Sequence, residues 1–220
     1  MDWERFLNKV KGLTVIEAEA LYSDSNPAKR ASIEVQLSRW HKSGKLIQLK
    51  RGLYALSDTY RKADIYGPAV AATLHRPSYL SLEKALEFHN LIPERVTVYT
   101  SVTSQRPARF ETKLGVFDYI HIQKGFFWGY TAVVLNGQTA FVALPEKALL
   151  DFFYLRHGPA TGTYIDELRL QNLDDLDEKR LVEFAKKMNK AKLLRAAQEI
   201  RKRIIARKVF MKKFKQRKKK

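Results

Sequence analysis

Asn26-Pro27-Ala28-Lys29-Arg30-Ala31-Ser32-Ile33-Glu34-Val35-Gln36-Leu37-Ser38-Arg39-Trp40-His41-Lys42, followed by Ser43-Gly44-Lys45-Leu46-Ile47-Gln48-Leu49-Lys50-Arg51-Gly52-Leu53-Tyr54-Ala55-Leu56, decides how this chain is read. After a turn over Asp24-Ser25-Asn26-Pro27, Asn26 is a favourable N-cap. Pro27 suits the first helical position, where no amide donor is needed. The helix is expected to run to about Lys42 and to end at Gly44. Two β-prone runs, Lys45–Leu49 and Leu53–Leu56, flank the basic turn Lys50-Arg51-Gly52 and read as a hairpin.

At 100° per residue, Ile33, Leu37 and Trp40 form the buried stripe of that helix. The opposite side carries Ala28, Ala31, Ser32, Val35, Arg39 and Lys42, with Gln36 at its margin and Lys29 and Arg30 at its start. Small residues there permit close approach to a groove floor. Ser32, Gln36 and Arg39 have the donors and acceptors to read base edges, and Val35 suits a thymine methyl. Lys29, Arg30 and Lys42 are placed to hold phosphates, and the hairpin tip Lys50-Arg51 to reach the adjacent backbone or minor groove. The plainer alternative is a solvated surface helix.

Upstream, Trp3, Phe6, Leu7 and Val10 give an amphipathic helix over Asp2–Val10 that ends at Gly12. Thr14-Val15-Ile16-Glu17 matches a capping box, which predicts a second helix to about Leu21. Three short helices and then a hairpin is winged helix-turn-helix order, expected over residues 1–60.

Charge supports a polyanion partner. The net charge is +18. Residues 1–62 carry twelve basic and seven acidic side chains, residues 63–190 fifteen of each, and residues 191–220 fourteen and one. A neutral body between two basic ends is the pattern of a nucleic-acid binder, although a basic tail can also merely solubilise. Cysteine is absent, which excludes disulfides, Cys-ligated zinc and thiol nucleophiles. The opening residues hold no apolar run and no stretch is long enough to cross a bilayer, so a cytoplasmic protein without a membrane partner is expected.

Residues 63–190 read as an α+β body with a largely antiparallel sheet. Helices are expected over 64–75, from a Ser81 cap to about His89, and over Pro145–Arg156. Strands are expected over Val96–Thr100, Arg109–Thr112, Phe117–Ile122, Thr131–Leu135 and Thr139–Ala143. Asn136-Gly137 supplies the positive φ values of a type I′ turn. Leu181 to about Phe210 reads as helix with a seam of Leu193, Leu194, Ala197, Ile200, Ile204 and Ile205. Residues 191–220 form a basic helix and tail, and Lys212 onward is expected to be disordered when free. Arg201, Lys202, Arg203, Arg207, Lys208, Lys212, Lys213 and Lys215 are its candidates for nonspecific polyanion binding.

Four segments in order, Arg51-Gly52-Leu53-Tyr54-Ala55-Leu56, Pro77-Ser78-Tyr79-Leu80-Ser81-Leu82-Glu83, Thr100-Ser101-Val102-Thr103 and Pro145-Glu146-Lys147-Ala148-Leu149-Leu150-Asp151, resemble the AbiEi-type antitoxin family over roughly residues 5 to 155. The resemblance implies a bacterial type IV toxin–antitoxin system. An N-terminal winged helix represses the operon at upstream repeats, and a larger domain counters a nucleotidyltransferase-type toxin without a stable complex. Dimers or paired monomers on DNA fit a reader that covers only a short half-site. The tail is more basic than the resemblance leads one to expect.

No catalytic constellation is evident, and neither a cofactor nor a metal is expected. His41, His75, His89, His121 and His157 show no metal-pair spacing, and His89 lies on an apolar stripe. Glu146-Lys147 offers the carboxylate and lysine of a metal-dependent nuclease, but adjacent and at a helix start, where the dipole already favours a Glu. A nuclease, or an RNA-binding protein using the basic C-terminus, stands as the alternative to a non-enzymatic repressor.

Overall fold

The structure, a computed structural model, describes residues 2–22 and 26–217, with side chains as far as residue 209. The turn expected at Asp24-Ser25 therefore lies outside the described residues. The fold is mixed α+β, with a small three-stranded sheet and a six-stranded one.

α1 (Trp3–Val10) starts at Asp2, whose carboxylate accepts from the Arg5 amide at 2.8 Å. β1 (Ile16–Glu17) and a 3₁₀ turn (Ala18–Leu21) come next, then α2 (Pro27–Lys42), β2 (Leu46–Lys50) and β3 (Leu53–Leu56). The Asn26 side chain caps α2 by accepting from the Lys29 amide at 2.9 Å. Gly44, at φ +75, turns the chain so that the Lys45 amide reaches the Trp40 carbonyl.

The capping box expected at Thr14–Glu17 does not form. Ile16 and Glu17 pair antiparallel with Tyr54 and Leu53 instead. A local cap is worth about 1 kcal/mol. Here it is outweighed by burial of Ile16 and by ladder bonds to the hairpin, so only a 3₁₀ turn survives of the second helix.

The small sheet has the order β1-β3-β2. One face, with Ile16, Leu46, Tyr54 and Leu56, packs on Phe6, Val10, Ile33 and Leu37 of the helices. The other, with Leu49, Leu53 and Ala55, packs on Val70, Leu74, Phe117 and Tyr119 of the body. Each such apolar side chain contributes roughly 1.5–3 kcal/mol when fully buried. The hairpin thus has a second core in common with the body.

The body begins with α3 (Gly67–Leu74) and continues through β4 (Ser78–Leu80), α4 (Leu82–Phe88), β5 (Val98–Thr103), β6 (Ala108–Thr112), β7 (Gly115–His121), β8 (Tyr130–Leu135), β9 (Gln138–Ala143) and α5 (Pro145–Leu155). α3 starts three residues later than expected, because Pro68 sets its first turn and the Tyr66 amide is taken by Gln138 Oε1. The sheet order is β6-β7-β5-β4-β9-β8. It is a mixed sheet: three of its five junctions are antiparallel, and β5–β7 and β4–β9 are parallel, a feature not expected from the sequence.

Ser81 does not cap α4 with its side chain. Its hydroxyl donates to the buried Asp151 carboxylate at 2.9 Å, and Thr100 Oγ1 accepts the Lys84 amide in its place.

α6 (Gly162–Glu167), α7 (Glu178–Met188) and α8 (Ala191–Arg217) close the fold. The single helix expected from Leu181 is broken at Asn189, which adopts φ +48. Leu193, Ala197, Ile200 and Ile204 are buried as the seam predicts, whereas Ile205 is exposed. The helix continues to Arg217, beyond the expected onset of disorder at Lys212. Lys, Arg and Gln propagate a helix well once its first turns are docked.

Candidate nucleic-acid interface

α2 is held from behind. Leu37 and Ile33 are buried, and Trp40 packs on Phe6 and Trp3 with ring centroids 4.5 Å and 5.1 Å away. The other side is open: Lys29, Arg30, Ser32, Arg39 and Lys42 are exposed. Val35 is 50% exposed, a branched apolar side chain with no cover on the helix crest. Gln36 sits at the edge, half-buried, and its Oε1 has no hydrogen-bond partner among the described residues.

Arg30 is partly committed. It lies 3.4 Å from Glu34 and 4.8 Å over the Tyr22 ring. Glu34 is the acid that the phasing did not weigh. Burial, and then this carboxylate, push the Tyr22 and Tyr54 hydroxyls up from their ordinary values. Glu34 and Arg30 thus share the Tyr22 side of the helix, and Lys29, Ser32, Val35 and Arg39 are exposed.

The hairpin tip divides its two cations. Arg51 is exposed. Lys50 turns toward the body, donates to the Leu74 carbonyl at 2.5 Å and lies 5.7 Å from the Phe110 ring centroid. Beside the tip, a cleft of about 390 Å³ is lined by Glu17, Arg51, His75 and Arg76. Arg76 is paired with Glu17 at 2.9 Å across it.

The basic face of α8 is tied to acids of the preceding elements and to Glu199 of α8 itself. Arg203 bonds Asp166 at 2.7 Å and the Gly162 carbonyl at 2.9 Å. Arg207 bonds Asp174 at 3.1 Å, and Lys202 bonds Glu199 at 2.7 Å. Arg201 and Lys208 approach Glu178 at 3.8 Å and 3.9 Å. The Lys212, Lys213 and Lys215 side chains lie outside what is described.

Glu146 and Lys147 are both fully buried and serve separate partners. Glu146 accepts from the Asp177 amide at 2.8 Å and from Arg180 at 3.0 Å. Lys147 bonds Asp151 and the Tyr79 hydroxyl, the latter at 2.9 Å. Tyr79 and Ser81 both donate to Asp151. The second and fourth resemblance segments meet in this buried network, which explains physically why those polar residues sit in the core. His89 is half-buried, and its Nε2 donates to the Ala143 carbonyl at 2.7 Å. Among the described residues no group of three His, Asp or Glu side chains is arranged to hold a metal. No helix among them is long and apolar enough to cross a membrane.

Arg76, which lines the cleft beside the hairpin tip, and Arg106, whose carbonyl is bonded by His75 of that cleft, were not legible as its surroundings, being far away in sequence. The chain matches no protein-family model and no curated protein.

Proposed function

We propose that this chain is a sequence-specific DNA-binding repressor that acts as the antitoxin of a type IV toxin–antitoxin system and regulates its own operon. The observation that carries the DNA-reading part is the open face of α2. Ser32, Val35 and Arg39 stand clear of the protein while Ile33, Leu37 and Trp40 fix the helix from behind. The order of elements and the sheet order β1-β3-β2 support a winged-helix reading in which α2 enters the major groove and Arg51 at the hairpin tip meets the flanking backbone. Lys50, committed to the body, is not counted among the contacts. The antitoxin part, with a nucleotidyltransferase-type toxin as functional partner, rests on the family resemblance.

The test compares Arg39→Ala and Ser32→Ala with the parent protein on duplex DNA from upstream of its own reading frame and on a shuffled duplex. Base reading predicts a loss of roughly 1–3 kcal/mol on the upstream sequence and little on the shuffled one. Equal losses on both, or none, defeat the reading. Competition with structured RNA separates it from an RNA-binding role.

A further inference from the structure

We propose that the loop 104–107 of the body is a second phosphate-contacting element, with Arg106 as its cation, set beside Arg51 of the hairpin. The inference rests on the DNA-binding reading and extends its footprint from α2 and the hairpin onto the body.

The placement is set by how β2 lies against β6. At one end, Leu46 and Ile47 share a cleft with Lys113 and Leu114. At the other, Lys50 lies over Phe110 and bonds Leu74. The two strands therefore run in opposite senses, and the hairpin tip falls at the 105–108 end of β6. His75, which lines the cleft beside Arg51, donates from Nε2 to the Arg106 carbonyl at 3.0 Å.

The loop is built, not slack. His121 Nδ1 donates to the Gln105 carbonyl at 2.9 Å. Thr103 Oγ1 accepts the Gln105 amide at 3.1 Å and donates to the Pro77 carbonyl at 2.7 Å. Three hydrogen bonds thus hold a short surface loop whose Arg106 side chain is exposed, and Thr103 at its start is itself anchored. Neighbouring Arg76 and Arg109 are paired with Glu17 and Glu111. Among the described residues Arg51 and Arg106 have no carboxylate within ion-pair distance. The body packs on the sheet face away from α1 and α2, so its contact falls on the backbone next to that met by Arg51 at the hairpin tip, not on the stretch under α2. An exposed guanidinium with no acid partner, carried on a loop whose backbone is held, fits a phosphate there.

The experiment measures binding of parent, Arg106→Gln, Arg106→Lys and Arg39→Ala to the upstream and shuffled duplexes across a salt series. A phosphate contact predicts that Arg106→Gln weakens both duplexes by the same factor, roughly five- to tenfold near 0.1 M salt, with a salt slope shallower by about one. Arg106→Lys should keep most of the affinity. If Arg106→Gln matches the parent in affinity and slope while Arg39→Ala loses upstream preference, the body contact is wrong and the base reading stands. A loss confined to the upstream duplex also overturns it as a phosphate contact. If the parent binds neither duplex, both proposals fall.

Discussion

The ammonium of Lys50 stands 2.5 Å from the main-chain oxygen of Leu74, a residue 24 positions further along the chain. One hydrogen bond thus ties the end of β2 to the end of α3. With the Arg76–Glu17 pair and the Gln138 contacts to Tyr66 and Asp64, it makes the small sheet a fixed part of the body. If α2 and the hairpin bind DNA as proposed, this mounting sets them before DNA arrives, so little ordering entropy remains to oppose binding.

Lys50→Met therefore acts first on stability. It removes a charged donor from the Leu74 carbonyl and a cation from the Phe110 ring. The expected cost is about 1–3 kcal/mol, read from urea unfolding. If Lys50 served DNA instead, stability would hold and affinity would fall.

The buried Lys147–Asp151 pair makes a sharper prediction. Burial pushes the Asp151 carboxyl up and the Lys147 ammonium down, and each charge opposes the shift in the other. Lys147→Met strands a carboxylate in the core and is expected to cost about 3–5 kcal/mol. Adding Asp151→Asn removes that charge while its amide oxygen still accepts from Tyr79 and Ser81. The double variant should be more stable than Lys147→Met alone, a coupling that a double-mutant cycle reads directly.

Local chemistry made some of the fold legible and left the rest silent. The Asn26 cap, the Gly44 stop and the Asn136-Gly137 turn, at φ +50 and +74, are dictated by residues within a few positions of one another. β1 and β4 are two and three residues long, too short for a period, and exist because partners far along the chain complete their ladders. The open face of α2 followed from phasing alone. The inward turn of Lys50 did not, since its partner is a peptide oxygen with no side-chain signature. Asp166 and Asp174, which pair with Arg203 and Arg207, precede α8 on other elements, so the charge of the basic segment overstated what that helix leaves unpaired.

His89 gives a pH signature. Burial holds its pKa below the usual 6.5, although the Ala143 carbonyl and Glu146 act the other way. The unfolded chain then binds a proton more readily than the folded one as pH falls below about 6.5, so the His89 contribution to stability is present above that pH and is lost below it. His89→Gln retains a donor for the carbonyl without the titration. Its unfolding free energy should vary less between pH 7 and 5 than that of the parent, and equal slopes would remove His89 as the cause.

Under the DNA-binding proposal, the two ends of the basic segment are expected to separate stability from polyanion affinity. Arg203 is about one-quarter exposed and bonds Asp166, Glu199 and Gly162, so Arg203→Ala should lower stability by about 1–2 kcal/mol and leave DNA affinity near that of the parent. Deleting residues 212–220 removes seven cations and none of the described ion pairs. That deletion should leave unfolding almost unchanged and weaken upstream and shuffled duplexes alike. The plot of log affinity against log salt should become shallower by about one unit for every phosphate that is no longer neutralised. Preference for the upstream sequence, which the proposal assigns to Ser32, Val35 and Arg39, should survive. A truncated protein that kept its affinity but lost that preference would mean that sequence is read at the basic end and not by α2.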